Sequence, residues 1–260
     1  MYDALSADYD RFVNWQGRLA IELPFIIEKL HEGKARKVLD AATGTGMHAI
    51  ALAQCGFKAA GTDISRGMIE RARVNAASAG AKVRFEVAGF GGLSELFGKG
   101  SFDALLCLGN SLPHLLSQAE LTYTLVDFSN CLKHGGLLLV QNRNFNSVMA
   151  KHERWMEPQA HTEGDNEWVF QRFYDFDPDG LITFNMVVLK KEGKGSWSQS
   201  VSTSRLRPLL KDDLISCLEA AGFTDIKDYG NMAGAAFDPE TSPNLVVKAT
   251  STQVVNERSV

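Results

Sequence analysis

Between Lys37 and Gln141 short apolar runs alternate with helical stripes, and this alternation constrains the fold more than any other feature of the chain. Lys37-Val38-Leu39-Asp40, Ala59 to Asp63, Val83 to Val87, Phe102 to Leu108 and Leu137 to Gln141 read as five strands. Thr45 to Cys55 reads as a helix that Gly56 is placed to end. Ser65 caps a second helix running through Ala79. Ser117 and Glu120 form a capping box ahead of the stripe Leu121, Leu125, Phe128 and Leu132. Strand–helix–strand repetition implies a parallel sheet with helices on both faces and right-handed crossovers. The expected fold class is therefore α/β, a doubly wound and mostly parallel sheet.

The alternation does not account for the whole length. At about 150 residues per domain, 260 residues fall between one domain and two. Residues 1–37 carry a helical repeat at Leu19, Leu23, Ile26, Ile27 and Leu30, with Pro24 predicted to kink it or start a second helix. Residues 144–208 hold strand-like runs and no helical stripe: Trp168 to Phe176, Leu181 to Lys190 and Trp197 to Leu206, separated by turn signals. They predict a three-stranded antiparallel insert after the fifth strand. A helix over Asp212 to Ala221 precedes two strands, Thr224 to Tyr229 and Asn244 to Ala249, with no helix between them, hence an antiparallel pair. The expectation is a single domain over 1–260. It comprises a helical leader at 1–37, a core at 38–143, the insert at 144–208, the rest of the core at 209–250 and a loose tail at 251–260. Leader and insert are expected to close over the C-terminal edge of the sheet.

Composition narrows the function classes. A net charge of −4 lacks the electrostatic footprint of a nucleic-acid binder, and Arg66, Arg71 and Arg73 read as the solvated face of a helix. No apolar run reaches the roughly 18 residues of a membrane span, and no signal peptide is visible at the start. Cys55, Cys107, Cys131 and Cys217 show no framework spacing, which fits free thiols in a reducing cytoplasm. A small-molecule substrate is the expected partner, with homo-oligomerisation possible. His48, His134, His152 and His161 make no metal-binding spacing.

The stretch Asp40-Ala41-Ala42-Thr43-Gly44-Thr45-Gly46 lies between a strand end and a helix start. Glycines there let a ligand lie against backbone and helix N-terminus. Asp63 ends the second strand, where a carboxylate can accept both hydroxyls of a ribose. Gly44-x-Gly46-x-x-Ala49 also fits the dinucleotide fingerprint. Asp40 argues against that reading. A carboxylate beside a pyrophosphate is repulsive, whereas beside an ammonium and a sulfonium it is attractive.

These residues, with Phe102-Asp103 opening the fourth strand and Gly135-Gly136 before the fifth, resemble the class I S-adenosylmethionine-dependent methyltransferases and their Rossmann-like sheet. Within that class the segments Cys107-Leu108-Gly109-Asn110-Ser111-Leu112-Pro113-His114-Leu115 and Arg143-Asn144-Phe145 are similar to glycine and sarcosine N-methyltransferases and their small-molecule relatives. So is the opening, Tyr2-Asp3, Tyr9-Asp10 and Asn14-Trp15 with Arg18-Leu19. The resemblance implies S-adenosyl-L-methionine as cofactor and S-adenosyl-L-homocysteine as product. It implies that Asp40, Ala42, Gly44, Thr45 and Gly46 surround the methionine part and that Asp63 holds the ribose. Ile64, Met68, Gly89 and Phe90 would form the adenine slot, with Phe90 stacking on the ring, and Leu108 would also touch the cofactor. Ala42 replaces the family's usual first glycine, and Gly89 replaces a polar residue common in relatives. Arg18 would pair with the cofactor carboxylate, and Tyr9 would sit near the reacting methyl group. Arg143 would grip a substrate carboxylate. Asn110 ends the fourth strand, and from there its carbonyl oxygen is expected to orient an amine.

Each residue also has a plainer reading: Asp63 as a turn cap, Phe90 and Tyr9 as packing, Arg18 and Arg143 as surface charges, Asn110 as a turn former, His114 as a surface histidine. At the level of the whole chain the alternatives are an O-methyltransferase with a greasy pocket built from the insert's tryptophans, a non-catalytic cofactor-binding module, and a nicotinamide-dependent oxidoreductase.

Overall fold

The computed structural model describes residues 2–253. A leader of α1 (Tyr2–Leu5), α2 (Tyr9–Phe12) and α3 (Trp15–Glu32) comes first. The alternating region follows as β1 (Lys37–Ala41), α4 (Met47–Gln54), β2 (Lys58–Asp63), α5 (Arg66–Ser78), β3 (Arg84–Val87), α6 (Leu93–Phe97), β4 (Phe102–Cys107), α7 (Gln118–Cys131) and β5 (Leu132–Arg143). Next come α8 (Phe145–Lys151) and the strands β6 (Gln159–Glu163), β7 (Asn166–Phe176), β8 (Ile182–Lys191) and β9 (Ser198–Leu206). The chain closes with α9 (Lys211–Ala220), β10 (Phe223–Tyr229) and β11 (Asn244–Ser251). The loose tail expected over 251–260 does not begin at Ser251, which is 1% exposed in β11, and from residue 254 it lies outside the described residues. Among those described, no helix is long and apolar enough to cross a membrane.

The larger sheet has the order β10-β11-β5-β4-β1-β2-β3. Its strands pair in parallel from β5 through β4, β1 and β2 to β3, while β11 runs antiparallel between β5 and β10. Side chains alternate between two cores. Leu39, Leu105, Leu138 and Val247 face α7 and α9, packing with Leu125, Phe128 and Leu218. Val38, Leu106, Leu139 and Val246 face α3, α4 and α5, packing with Ile26, Ile50 and Ile69. Burial on both faces explains why these strands read as continuous apolar runs. The chain winds outward from β1 in one direction and from β4 in the other, so the crevice where a doubly wound sheet takes ligands opens at their C-terminal ends.

Two expectations are corrected at the flanks. α3 runs unbroken through Pro24. Pro24 and Ala20, whose carbonyl loses its intrahelical donor, both lie on the exposed face, while Phe25, Ile26 and Leu30 anchor the opposite one. The insert has four strands in the order β6-β7-β8-β9, not three, and the helix α8 precedes them. β6 is a polar edge strand with no apolar alternation to betray it. The inner face of this second sheet packs on the leader, Trp168, Phe170 and Met186 meeting Leu5, Tyr9 and Phe12. Arg11 adds an ion pair to Glu163 at 2.7 Å and lies 4.6 Å above the Trp168 ring.

Candidate active site

The loop leaving β1 turns back on itself through three left-handed residues, Ala42 (φ 60°), Gly44 (φ 57°) and Gly46 (φ 81°). Ala42 adopts this conformation despite its Cβ, at a cost of roughly 1–2 kcal/mol. Gly46 cannot be replaced so readily, because a Cβ there would lie 2.7 Å from the Phe85 ring and 2.9 Å from Ala72. The Gly44 N–H donates to Asp63 Oδ2 and the Ser65 N–H to Asp63 Oδ1, both at 2.9 Å. Asp63 therefore caps the turn into α5 and ties the glycine loop to β2 at once. Burial raises its carboxyl pKa above the usual range against the pull of those two donors. Asp40, 2% exposed, accepts from Thr43 Oγ1 at 2.5 Å, and burial raises its carboxyl pKa too.

These groups line a cavity of about 490 Å³. It gathers Arg18, Asp40, Ala42, Gly44, Asp63, Ile64, Met68, Gly89, Phe90 and Leu108 in one place. Thr45 and Gly46 do not line it. Thr45 is fully buried and donates to Asp10 Oδ1 at 2.6 Å, and Gly46 faces Phe85 behind the loop. Ile64 is 75% exposed on one side of the slot and Met68 is buried. Phe90 packs edge-on against Phe128, with ring centres 5.5 Å apart. A Cβ at Gly89 would lie 3.2 Å from the terminal methyl of Ile64.

A second cavity of about 640 Å³ lies between the end of β5, α8 and the second sheet. Asn110, Asn142, Arg143, Arg172 and Tyr174 line it. The two cavities share Tyr9, Arg18, Gly109 and His114. Arg18 Nε donates to Glu22 at 3.0 Å and its Nη2 to Gln141 Oε1 at 3.3 Å, so it is a half-buried, bonded residue rather than a loose surface charge. Glu22 also meets His48 Nε2 at 2.7 Å, and these partners outweigh burial and hold its carboxyl below the usual range. Burial pushes the Tyr9 phenol pKa up. Asn110 takes φ 69° and its Oδ1 accepts the Arg143 N–H at 3.0 Å, fastening the loop after β4 to the end of β5. Its turn-forming role is thus real, and the carbonyl oxygen expected to orient an amine already holds this N–H, leaving it one further lone pair for a ligand. Arg143 pairs with Glu153 at 3.0 Å and lies 5.6 Å above the Tyr174 ring. His114 is not a surface histidine. It meets Ser204 of β9 at 3.1 Å, and burial lowers its pKa to about 4, leaving it neutral at pH 7.

Sequence reasoning named Asp10 in the opening segment but gave it no role. Its Oδ1 accepts from Thr45 and from Trp15 Nε1, and its Oδ2 from Arg71 and Asn75 at 2.9 and 3.0 Å. Burial opposes the charge, but these donors hold the carboxyl below its ordinary pKa. Asp10 thereby latches the leader to the glycine loop and α5. Asp10→Ala is expected to speed limited proteolysis within residues 6–14 by about 10–100-fold, for roughly 1.5–3 kcal/mol of lost charge-assisted bonding. Protection of α4 and α5 against hydrogen exchange should hardly change, and equal loss there would contradict a local latch. Among the described residues no cluster of three or more His, Cys, Asp or Glu side chains is arranged to hold a metal ion.

A buried carboxylate, a strand-end carboxylate and an apolar slot in one cavity suit a ligand with a cationic end, a ribose and a flat ring. A family model described as a methyltransferase domain matches residues 38–136. A structure of an S-adenosylmethionine-dependent methyltransferase from Clostridium acetobutylicum superposes with a TM-score of 0.78 at 17% identity, over 97% of this chain and 99% of that one. The protein is a class I S-adenosylmethionine-dependent methyltransferase, and S-adenosylmethionine is its cofactor. A glycine/sarcosine N-methyltransferase of Aphanothece halophytica is 34% identical over 223 residues, 86% of this chain and 79% of that protein. Its counterpart in Halorhodospira halochloris is 29% identical over 238 residues, 92% and 84% of the two chains. The chain belongs to the glycine/sarcosine N-methyltransferase family.

Proposed function

We propose that the protein methylates the amino nitrogen of a small carboxylate-bearing amine of the glycine and sarcosine kind. The observation that carries this reading is the guanidinium of Arg143 in a cavity that opens, at Tyr9, Arg18, Gly109 and His114, onto the cavity fitted to the cofactor. The relatives' names point to the same acceptors. In this reading Asp63 accepts the ribose hydroxyls, and Asp40 and the Gly44 backbone face the methionine end. Arg18 meets the cofactor carboxylate, while Met68, Ile64 and Phe90 border the adenine. Bound S-adenosylmethionine supplies a methyl group already electrophilic on its sulfonium sulfur.

The chain's own residues then have little acid–base work. Asn110 and Arg143 orient the acceptor, Tyr9 shapes the junction, and leader and insert exclude water. The amine loses its proton to water before it attacks. His114, with a pKa of about 4, is too weak a base to hold that proton at neutral pH. None of Trp155, Trp168 and Trp197 lines the acceptor cavity, which removes the observation that would have favoured a greasy O-methylation site. A cytoplasmic setting belongs to this reading, supported by four cysteines that are all free thiols.

The test is product release of S-adenosylhomocysteine with glycine, sarcosine, a neutral amine and a phenol. Turnover with glycine or sarcosine is expected. Arg143→Ala should raise KM for them by about 10–100-fold, the loss of one charge-assisted bidentate contact, and hardly affect a neutral acceptor. Turnover confined to phenols or neutral amines would overturn the reading.

A further inference from the structure

The acceptor cavity holds a second guanidinium whose charge nothing among the described residues answers. Arg172 sits on β7 of the insert, with its Nε buried and without a hydrogen-bond partner. Among the described residues its guanidinium makes no hydrogen bond and has no carboxylate within 4 Å. The contact it does make is a cation–π one, 4.7 Å above the Phe12 ring of the leader. The other arginines here are paired, Arg18 to Glu22 and Arg143 to Glu153. Beside them Asn142, 1% exposed at the end of β5, has both amide atoms buried and unpartnered. Buried polar groups without partners are rare and costly, and here two of them line one cavity.

Arg172 Nε and Asn142 Nδ2 call for a ligand that accepts hydrogen bonds and carries one negative charge, and Asn142 Oδ1 calls for a donor such as the acceptor's amine. The paired Arg143 and Glu153 leave the surplus positive charge on Arg172. Burial, with Arg143 nearby, pushes the Arg172 guanidinium below its ordinary pKa, the direction expected of a cation that lacks its counterion. We infer that Arg172, with the Asn142 amide, forms the insert's half of a two-arginine grip on the acceptor carboxylate, opposite Arg143. This rests on the reading above that the acceptor bears a carboxylate. It makes the second sheet a specificity element. Because Phe12 supports the guanidinium and Phe12 packs 5.4 Å from Phe170, the grip is complete only when the leader lies against the insert.

The experiment compares the wild type with Arg172→Gln and Arg172→Lys, using glycine and its uncharged amide as acceptors. With Arg172→Gln, KM for glycine should rise at least 30-fold while kcat changes far less, and the preference for glycine over glycinamide should collapse. Arg172→Lys should recover part of that preference by restoring charge without the planar fork. Titration with S-adenosylmethionine checks that each variant retains the cofactor site. An unchanged KM for glycine, or an equal rise for glycine and glycinamide, would overturn the assignment and leave Arg172 a packing residue. A wild type that methylates no carboxylate-bearing amine would instead overturn the acceptor reading, and this inference with it.

Discussion

Gly46→Ala is expected to cost the protein about 3 kcal/mol of folding stability, before any effect on the cofactor. Two independent terms contribute. At φ 81° a Cβ is strained by roughly 1–2 kcal/mol. The added methyl would then sit 2.7 Å from Phe85 and 2.9 Å from Ala72, side chains that are themselves buried and cannot withdraw to solvent. Overpacking of that kind adds roughly 1–3 kcal/mol. Phe85 is confined from the other side as well, since a Cβ on Gly61 of β2 would lie 2.8 Å from the same ring. The ring occupies the space that two glycines leave open. Denaturant unfolding should show the loss as a lower midpoint with an unchanged slope. Phe85→Leu, harmful alone, should cost less in the Gly46→Ala background, because the smaller side chain makes room for the methyl. Strict additivity of the two changes would show that the loop has moved instead.

That wedge also shows what a sequence can and cannot disclose. The two glycines, the capping box at Ser117 and the apolar runs of β1, β4 and β5 are local signals with one physical reading each, so the doubly wound sheet was legible. That Asp40 and Asp63 would meet in one cavity was legible, because the end of a strand fixes where its last carboxylate stands. The failures share a different cause. Gly46 gave no hint that its Cα packs against Phe85, some forty residues away in the chain. Pro24 was expected to kink the leader helix or start a second one, and its place on the exposed face lets α3 continue past it as one element. β6 is polar on both faces and is held by its pairing with β7. Asp10, Asn142 and Arg172 carry no motif. Their importance lies in partners they have, or lack, across the fold, and alternation along a strand says nothing about that.

The second large effect separates the two site carboxylates. Asp63→Asn is expected to weaken S-adenosylmethionine and S-adenosylhomocysteine alike, by about 100-fold, the loss of roughly 2–3 kcal/mol in charge-assisted bonds to a ribose that both ligands carry. Asp40→Asn should weaken S-adenosylmethionine more than S-adenosylhomocysteine, because only the former carries the sulfonium charge that a nearby carboxylate attracts. Calorimetric titration of both variants with both ligands gives the ratios, and equal ratios would remove Asp40 from the methionine end. Stability should respond differently from binding. Burial raises both folded-state pKa values above the unfolded carboxyl near 3.8, so each group's favourable contribution is full below that value and is lost as pH rises through the folded one. Neutralising either charge at pH 7 therefore removes a strain rather than a support. In Asp63→Asn the remaining penalty is one backbone N–H, of Gly44 or Ser65, facing an amide donor in place of an acceptor, about 1–3 kcal/mol. Cofactor affinity in the wild type should begin to fall on acidification at a pH above the ordinary carboxylate range, as Asp40 and Asp63 take up protons that the bound ligand must displace.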